Sequence, residues 1–194
     1  METLNKCNLC ELCLTRKPIN GVGNTNAEIM VILQTPNYYT VKHNNIFESK
    51  VGETLIKLFK MINIDYKDVY ITHLVKGRTT SLKQKNITAC KPYLKDEIEM
   101  VKPKVIVTMG VKPTSVILKS KLSLYNHIGK CYKTNKNSWV LPMYDLNFIM
   151  YDVKYHGLAL KDFANLYKLY SRFVNPNIRT FEDKLHPAIK KIVI

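Results

Sequence analysis

The residues of this chain best suited to chemistry open it. Cys7, Cys10 and Cys13 form a C-x-x-C-x-x-C run, and two further cysteines follow at Cys90 and Cys131. Thiolates at that spacing can converge on one metal group, and in a reducing compartment metal is favoured over disulfide. Residue type alone leaves an iron–sulfur cluster, a zinc ion, or small buried residues holding no metal. A second set is basic: 30 Lys and Arg stand against 15 carboxylates, a formal net charge of +15. A field of that sign attracts phosphate. Lys76, Arg78, Lys112 and Lys130 fall in loops, with Tyr38, Tyr39 and Tyr132 nearby in sequence. Cations interleaved with aromatic rings suit phosphate contact plus base stacking, so DNA is the expected partner. A low-GC microbe or its virus would also use Lys, Asn, Ile and Tyr freely, so charge by itself leaves both readings standing.

These residues need elements to position them. Residues 27–33 and 104–109 are mostly apolar stretches rich in β-branched types, the pattern of strands buried on both faces. Residues 69–74 and 138–143 supply two more strands. Between them, Leu55, Leu58, Phe59 and Ile62 recur at helical spacing over 52–62. Ile87, Cys90, Leu94, Ile98 and Val101 make one stripe of a long helix over 85–101, which Pro103 stops. A short helix to residue 119 and a closing helix over 158–173 complete the set. Strands alternating with helices imply an α/β fold: a three-layer α/β/α sandwich around a short, mostly parallel four-stranded sheet. At 194 residues a single domain over 1–194 is expected, with a Cys-containing segment over 1–26 and a C-terminal extension over 175–194. Met1 to Lys6 shows no leader pattern, and no apolar run is long enough to span a bilayer, so a cytoplasmic protein is expected.

In a parallel sheet the binding crevice lies beyond the carboxyl ends of the strands. That rule places residues 34–37, 73–78, 110–113 and 144–147 on one rim.

The order of these segments resembles the iron–sulfur branch of the uracil-DNA glycosylase superfamily. Cys7-x-x-Cys10-x-Leu12 and Gly21-Val22-Gly23-Asn24 are similar to that family's opening. The stretch from Asp68 to Lys76 is similar to its second strand. Ala89-Cys90-Lys91-Pro92-Tyr93-Leu94 followed by 102–110 is the closest stretch. The resemblance implies a structural 4Fe-4S cluster on Cys7, Cys10 and Cys90. Its fourth thiolate is missing from 105–109, leaving Cys13 or Cys131 to supply it. It also implies base binding by Phe47 and by the strand-end residue His73, with Asn147 on the same rim.

Three positions depart from the family pattern. Gln34-Thr35-Pro36-Asn37 stands where the branch carries a Glu-containing motif. Asp145 stands where it carries the His of a His-Pro pair, and His73 where it carries Asn. Base release leaves positive charge on the sugar and negative charge on the base. Gln34 offers hydrogen bonds but no charge, and an ionised Asp145 would repel the departing base. Neutral imidazole presents one donor and one acceptor at angles unlike those of an amide. The expectation is a DNA-binding protein of repair or replication, catalytically weak or silent on uracil and acting with a replication or repair protein. An active glycosylase for another base, working through Gln34, His73 and Asp145, is the alternative. Nucleoid association, or the host cell for a virus, is the setting implied.

Overall fold

A computed structural model describes residues 7–12, 18–120, 126–135, 137–177 and 185–193. The elements run β1 (Val22–Gly23), β2 (Ile29–Leu33), α1 (Tyr38–His43), α2 (Lys50–Met61), β3 (Val69–His73), α3 (Gln84–Val101), β4 (Val105–Met109), α4 (Val111–Ile117), β5 (Tyr132–Lys133), β6 (Trp139–Met143), α5 (Leu146–Tyr151), α6 (His156–Phe173) and α7 (Pro187–Val193).

Among the described residues the sheet has six strands, in the order β1-β3-β2-β4-β6-β5, not four. The four central strands are the expected ones and pair in parallel; β1 and β5 join antiparallel at the two edges. Each edge strand is two residues long, too short to leave a period in the sequence. The central strands are apolar at nearly every position because both faces are covered. Ile29, Val31 and Leu33 face a core built with α2 and α6, while Met30 and Ile32 face a second core built with α3.

Local signals set the helix ends. Ser49 caps α2, its hydroxyl accepting from the Gly52 N–H at 3.2 Å. Lys102 ends α3 in the left-handed region at φ 50°, just before Pro103. Beyond residue 175 the chain does not simply trail off. Leu185 and Ile189 are buried in the first core, and the His186 N–H donates to the Met61 carbonyl. Among the described residues no helix is long and apolar enough to cross a membrane.

Candidate nucleic-acid interface and base pocket

The parallel register carries the site. Leu33 pairs with His73, and the pairing continues past the strand ends, with Leu74 N–H donating to Leu33 O at 2.7 Å and Val75 N–H to Gln34 O at 3.1 Å. Gln34 and His73 are therefore neighbours at the carboxyl ends of β2 and β3. On the other half of the rim, Met109 pairs with Met143, so Gly110 and Asp145 come together beyond β4 and β6. Gly110 has φ +93°, which favours glycine, and a Cβ there would lie 3.4 Å from Asp145 Oδ2.

Asp145 is a helix cap. Its Oδ1 accepts from the Asn147 N–H at 2.8 Å and from Asn147 Nδ2 at 3.0 Å, fixing the start of α5. Its neighbour Tyr144 donates its N–H to Asp162 Oδ2 at 2.9 Å, which ties the loop to α6. Asp162 is buried, and burial raises its pKa to about 7. Phe47 packs edge-to-face on Tyr66 with ring centroids 4.9 Å apart, half-buried against the first core. That contact gives it a packing role whether or not a base also reaches it.

His73 is buried, and neither ring nitrogen has a hydrogen-bond partner among the described residues. Burial, and then the nearby Lys76 charge, lower its pKa to about 3. The imidazole is thus neutral at physiological pH, with a donor and an acceptor both unspent.

Lys76 is the clearest correction. It is expected on the DNA-binding rim, yet it is 1% exposed. Its ammonium donates to Glu97 Oε2 at 2.5 Å and Thr72 Oγ1 at 2.6 Å. Glu97 also accepts from Thr72 Oγ1 at 2.7 Å, from the Gly21 N–H at 2.9 Å and from the Tyr70 hydroxyl. Burial and the Glu97 charge push the Tyr70 phenol well above its ordinary range. This network under the strand ends sets the Lys76–Glu97 ion pair beside His73 and leaves no ammonium for phosphate. Glu97 was readable in principle: 87, 90, 94, 97 and 101 form one helical stripe, and a charge on that stripe must find a buried partner. Arg78, Lys112 and Lys130 are exposed, and the Arg78 guanidinium lies 5.9 Å from the centroid of Tyr38.

The cysteine set divides. Cys90 is buried on α3 and accepts from the Lys76 N–H at 3.4 Å. Its thiol is pushed up by burial first, and also by Cys10 and Cys7, whose sulfurs are close enough to be felt. Glu11 anchors that N-terminal segment to the start of α3, pairing with Lys85 at 3.1 Å and accepting from Asn86 Nδ2. A Cβ on Gly77 would come 2.8 Å from the Leu12 Cβ, so glycine is what lets the segment lie there. Cys131 is corrected: it precedes β5, four strand spacings or about 19 Å across the sheet from β3. It cannot join Cys90. Cys13 lies outside the described residues. Among the described residues no three His, Cys, Asp or Glu side chains are grouped to hold a metal ion. Cys7, Cys10 and Cys90 alone do not complete a four-thiolate cluster, so among the described residues the ligand set is incomplete.

Residues 20–168 match the family model of the Uracil DNA glycosylase superfamily. The chain belongs to that superfamily. It is 34% identical over 134 residues to the Type-4 uracil-DNA glycosylase of Saccharolobus solfataricus, covering 66% of this chain and 62% of that protein. It is 28% identical over 198 residues to the Type-4 uracil-DNA glycosylase of Sulfurisphaera tokodaii, covering all of this chain and 83% of that protein. A third relative is the DNA polymerase of Bacillus phage SP01, 26% identical over 170 residues, 85% of this chain but 18% of the polymerase. The aligned region thus spans less than two thirds of the Saccharolobus protein.

Two buried groups of the site should give opposite pH signatures. Unfolded His73 titrates near 6.5 and folded His73 near 3. Between those values the unfolded chain holds the extra proton, so stability rises with pH by about 1.4 kcal/mol per unit. Asp162 moves from 3.8 to about 7 on folding. There the folded chain holds the extra proton, and stability falls as pH rises with a similar slope. In the wild type the two largely offset each other. Denaturant melts of His73→Asn should therefore show stability falling as pH rises from about 4 to 7. Asp162→Asn should show it rising from about 3 to 6.5. Unchanged profiles in both variants would contradict the assigned shifts.

Proposed function

We propose that this chain binds DNA along the rim at the carboxyl ends of β2, β3, β4 and β6, and that it excises uracil weakly or not at all. The observation that carries this reading is Asp145. The carboxylate at the position the resemblance gives to a catalytic imidazole is engaged as a cap by Asn147, and a negative charge there opposes departure of an anionic base. Gln34 supplies no carboxylate on the opposite side. In this reading Gln34, His73 and Asp145 line the pocket as substituted catalytic positions. Arg78, Lys112 and Lys130 contact phosphate, and Asn147 and Phe47 border the base.

The phage polymerase relative supports a replication or repair setting inside the cell, since a segment resembling this chain occurs within a DNA-synthesising protein. A metal group on Cys7, Cys10 and Cys90, with Cys13 as remaining candidate, would act as a structural staple between the N-terminal segment and α3.

A second reading is favoured by His73, whose unspent donor and acceptor could read the edge of a flipped base other than uracil. Single-turnover excision on oligonucleotides carrying uracil, hypoxanthine, 5-hydroxymethyluracil or undamaged bases, with binding recorded on the same samples, separates the two. Salt-dependent binding without cleavage supports the first reading, cleavage of a base other than uracil establishes the second, and rapid cleavage of uracil overturns both. Arg78→Ala with Lys130→Ala should weaken binding to all sequences alike and reduce the salt slope by roughly one per residue. An unchanged slope would remove both from the interface.

A further inference from the structure

A groove of about 820 Å³ runs between the start of α3 and the short helix α4. Lys91, Lys112 and Lys119 line it, with Ser115 and Ser120 among them, and among the described residues no carboxylate does. All three lysines are exposed, and among the described residues none is paired with an acid. By contrast, Lys85 and Lys95, on the same helix α3, do have carboxylate partners. The groove opens on the rim, because α3 leaves the β3 end and Lys112 follows Gly110 by two positions. Across that rim stand the exposed Tyr38 and Tyr39 rings, 5.4 Å apart between centroids, with Arg78 reaching Tyr38.

Resting on the DNA-binding reading above, we infer that this groove carries the phosphate backbone of a single DNA strand as it leaves the rim. The requirement for a strand follows from the chemistry of the lining and of the rings beyond it. The lysines and serines offer donors to phosphate oxygens, and the exposed Tyr38 and Tyr39 rings offer faces on which unpaired bases stack. Among the described residues the apolar lining of the groove is aliphatic, Ile87 and Val116 included, with no ring. Bases are therefore left outside it, and stacking falls to Tyr38 and Tyr39 at the entrance. The electrostatic sense is unambiguous: a lysine-lined concavity on a chain of net charge +15 concentrates an anionic polymer.

The test is fluorescence anisotropy with oligo-dT of about 20 and about 6 nucleotides, the shorter too short to fill rim and groove together. The same measurement is made on a hairpin duplex, across a salt series. Lys91→Ala/Lys119→Ala should keep its Tm and lower affinity for the longer strand on the order of tenfold at low salt. Its log–log salt slope should shrink by about 1.4, the value for two single-strand phosphate contacts. Binding of the short strand and of the duplex should stay as in wild type. If the double variant binds the long strand like wild type while Arg78→Ala weakens it, the groove assignment is overturned and the rim survives. Equal loss on the duplex overturns the single-strand assignment. Retained DNA binding with loss of poly-glutamate binding would make the groove a site for acidic peptide instead. If neither protein binds any DNA, the DNA-binding reading itself has failed.

Discussion

Lys76→Met is expected to lower the stability of this protein by about 3–5 kcal/mol, the usual cost of leaving one member of a buried ion pair alone. For a chain of this length that corresponds to a fall in Tm of roughly 6–20 °C. The reason is the neighbourhood of Glu97. Its two oxygens accept from Lys76, Thr72, the Gly21 N–H and Tyr70 at once, inside a region where Lys76 is 1% exposed. Removing the ammonium leaves a carboxylate in low dielectric with only neutral donors around it. Lys76→Met/Glu97→Gln should recover much of the loss, because glutamine still accepts from Thr72 or Gly21 without carrying a charge. Thermal unfolding followed by circular dichroism reads both. Below the transition, DNA affinity and salt slope should match wild type. A variant that melts normally but binds DNA with a reduced slope would return Lys76 to the interface.

Why Lys76 reads differently in sequence and in structure is instructive. A lysine just after a strand, followed by Gly77 and Arg78, has the local look of a solvated loop. Its partner is 21 residues further along, and no local pattern encodes such a pairing. The half of the pair that is legible is Glu97, on the buried stripe of α3. Asp162 is similar, sitting between Ala159 and Leu166 on the buried face of α6. The central strands are readable because strands covered on both faces must be apolar throughout. Once they are ordered, the rim follows, and with it the adjacency of Gln34 to His73 and of Gly110 to Asp145. What those side chains do there is not contained in spacing. Whether Asp145 faces a substrate or caps a helix depends on where Asn147 places its N–H. Whether His73 is paired depends on every element packed around β3. Cys131 fails as a ligand for a topological reason, since β5 joins the far edge of the sheet.

The substituted positions themselves can be put to the test by reversal. Gln34→Glu with Asp145→His should raise single-turnover excision of uracil by at least about 10²-fold, the effect of one well-placed electrostatic group, and by more if both act together. The carboxylate at 34 would lie at the end of β2 beside His73, where it can face positive charge developing on the sugar and orient a water. The imidazole at 145 would replace a negative charge with a donor toward the leaving base. The change has a structural cost, because Asp145 caps α5 through Asn147; losing that cap should remove about 1 kcal/mol. A stability loss of that size with a gain in rate is the expected pair of results. Loss of stability with no gain would mean that the rim beyond β2 and β6 no longer encloses a base at all, since a pocket that still closed on uracil would respond to restored charge. Wild-type excision already as fast as the double variant would mean that Gln34 and Asp145 are themselves competent, with His73 the next residue to change.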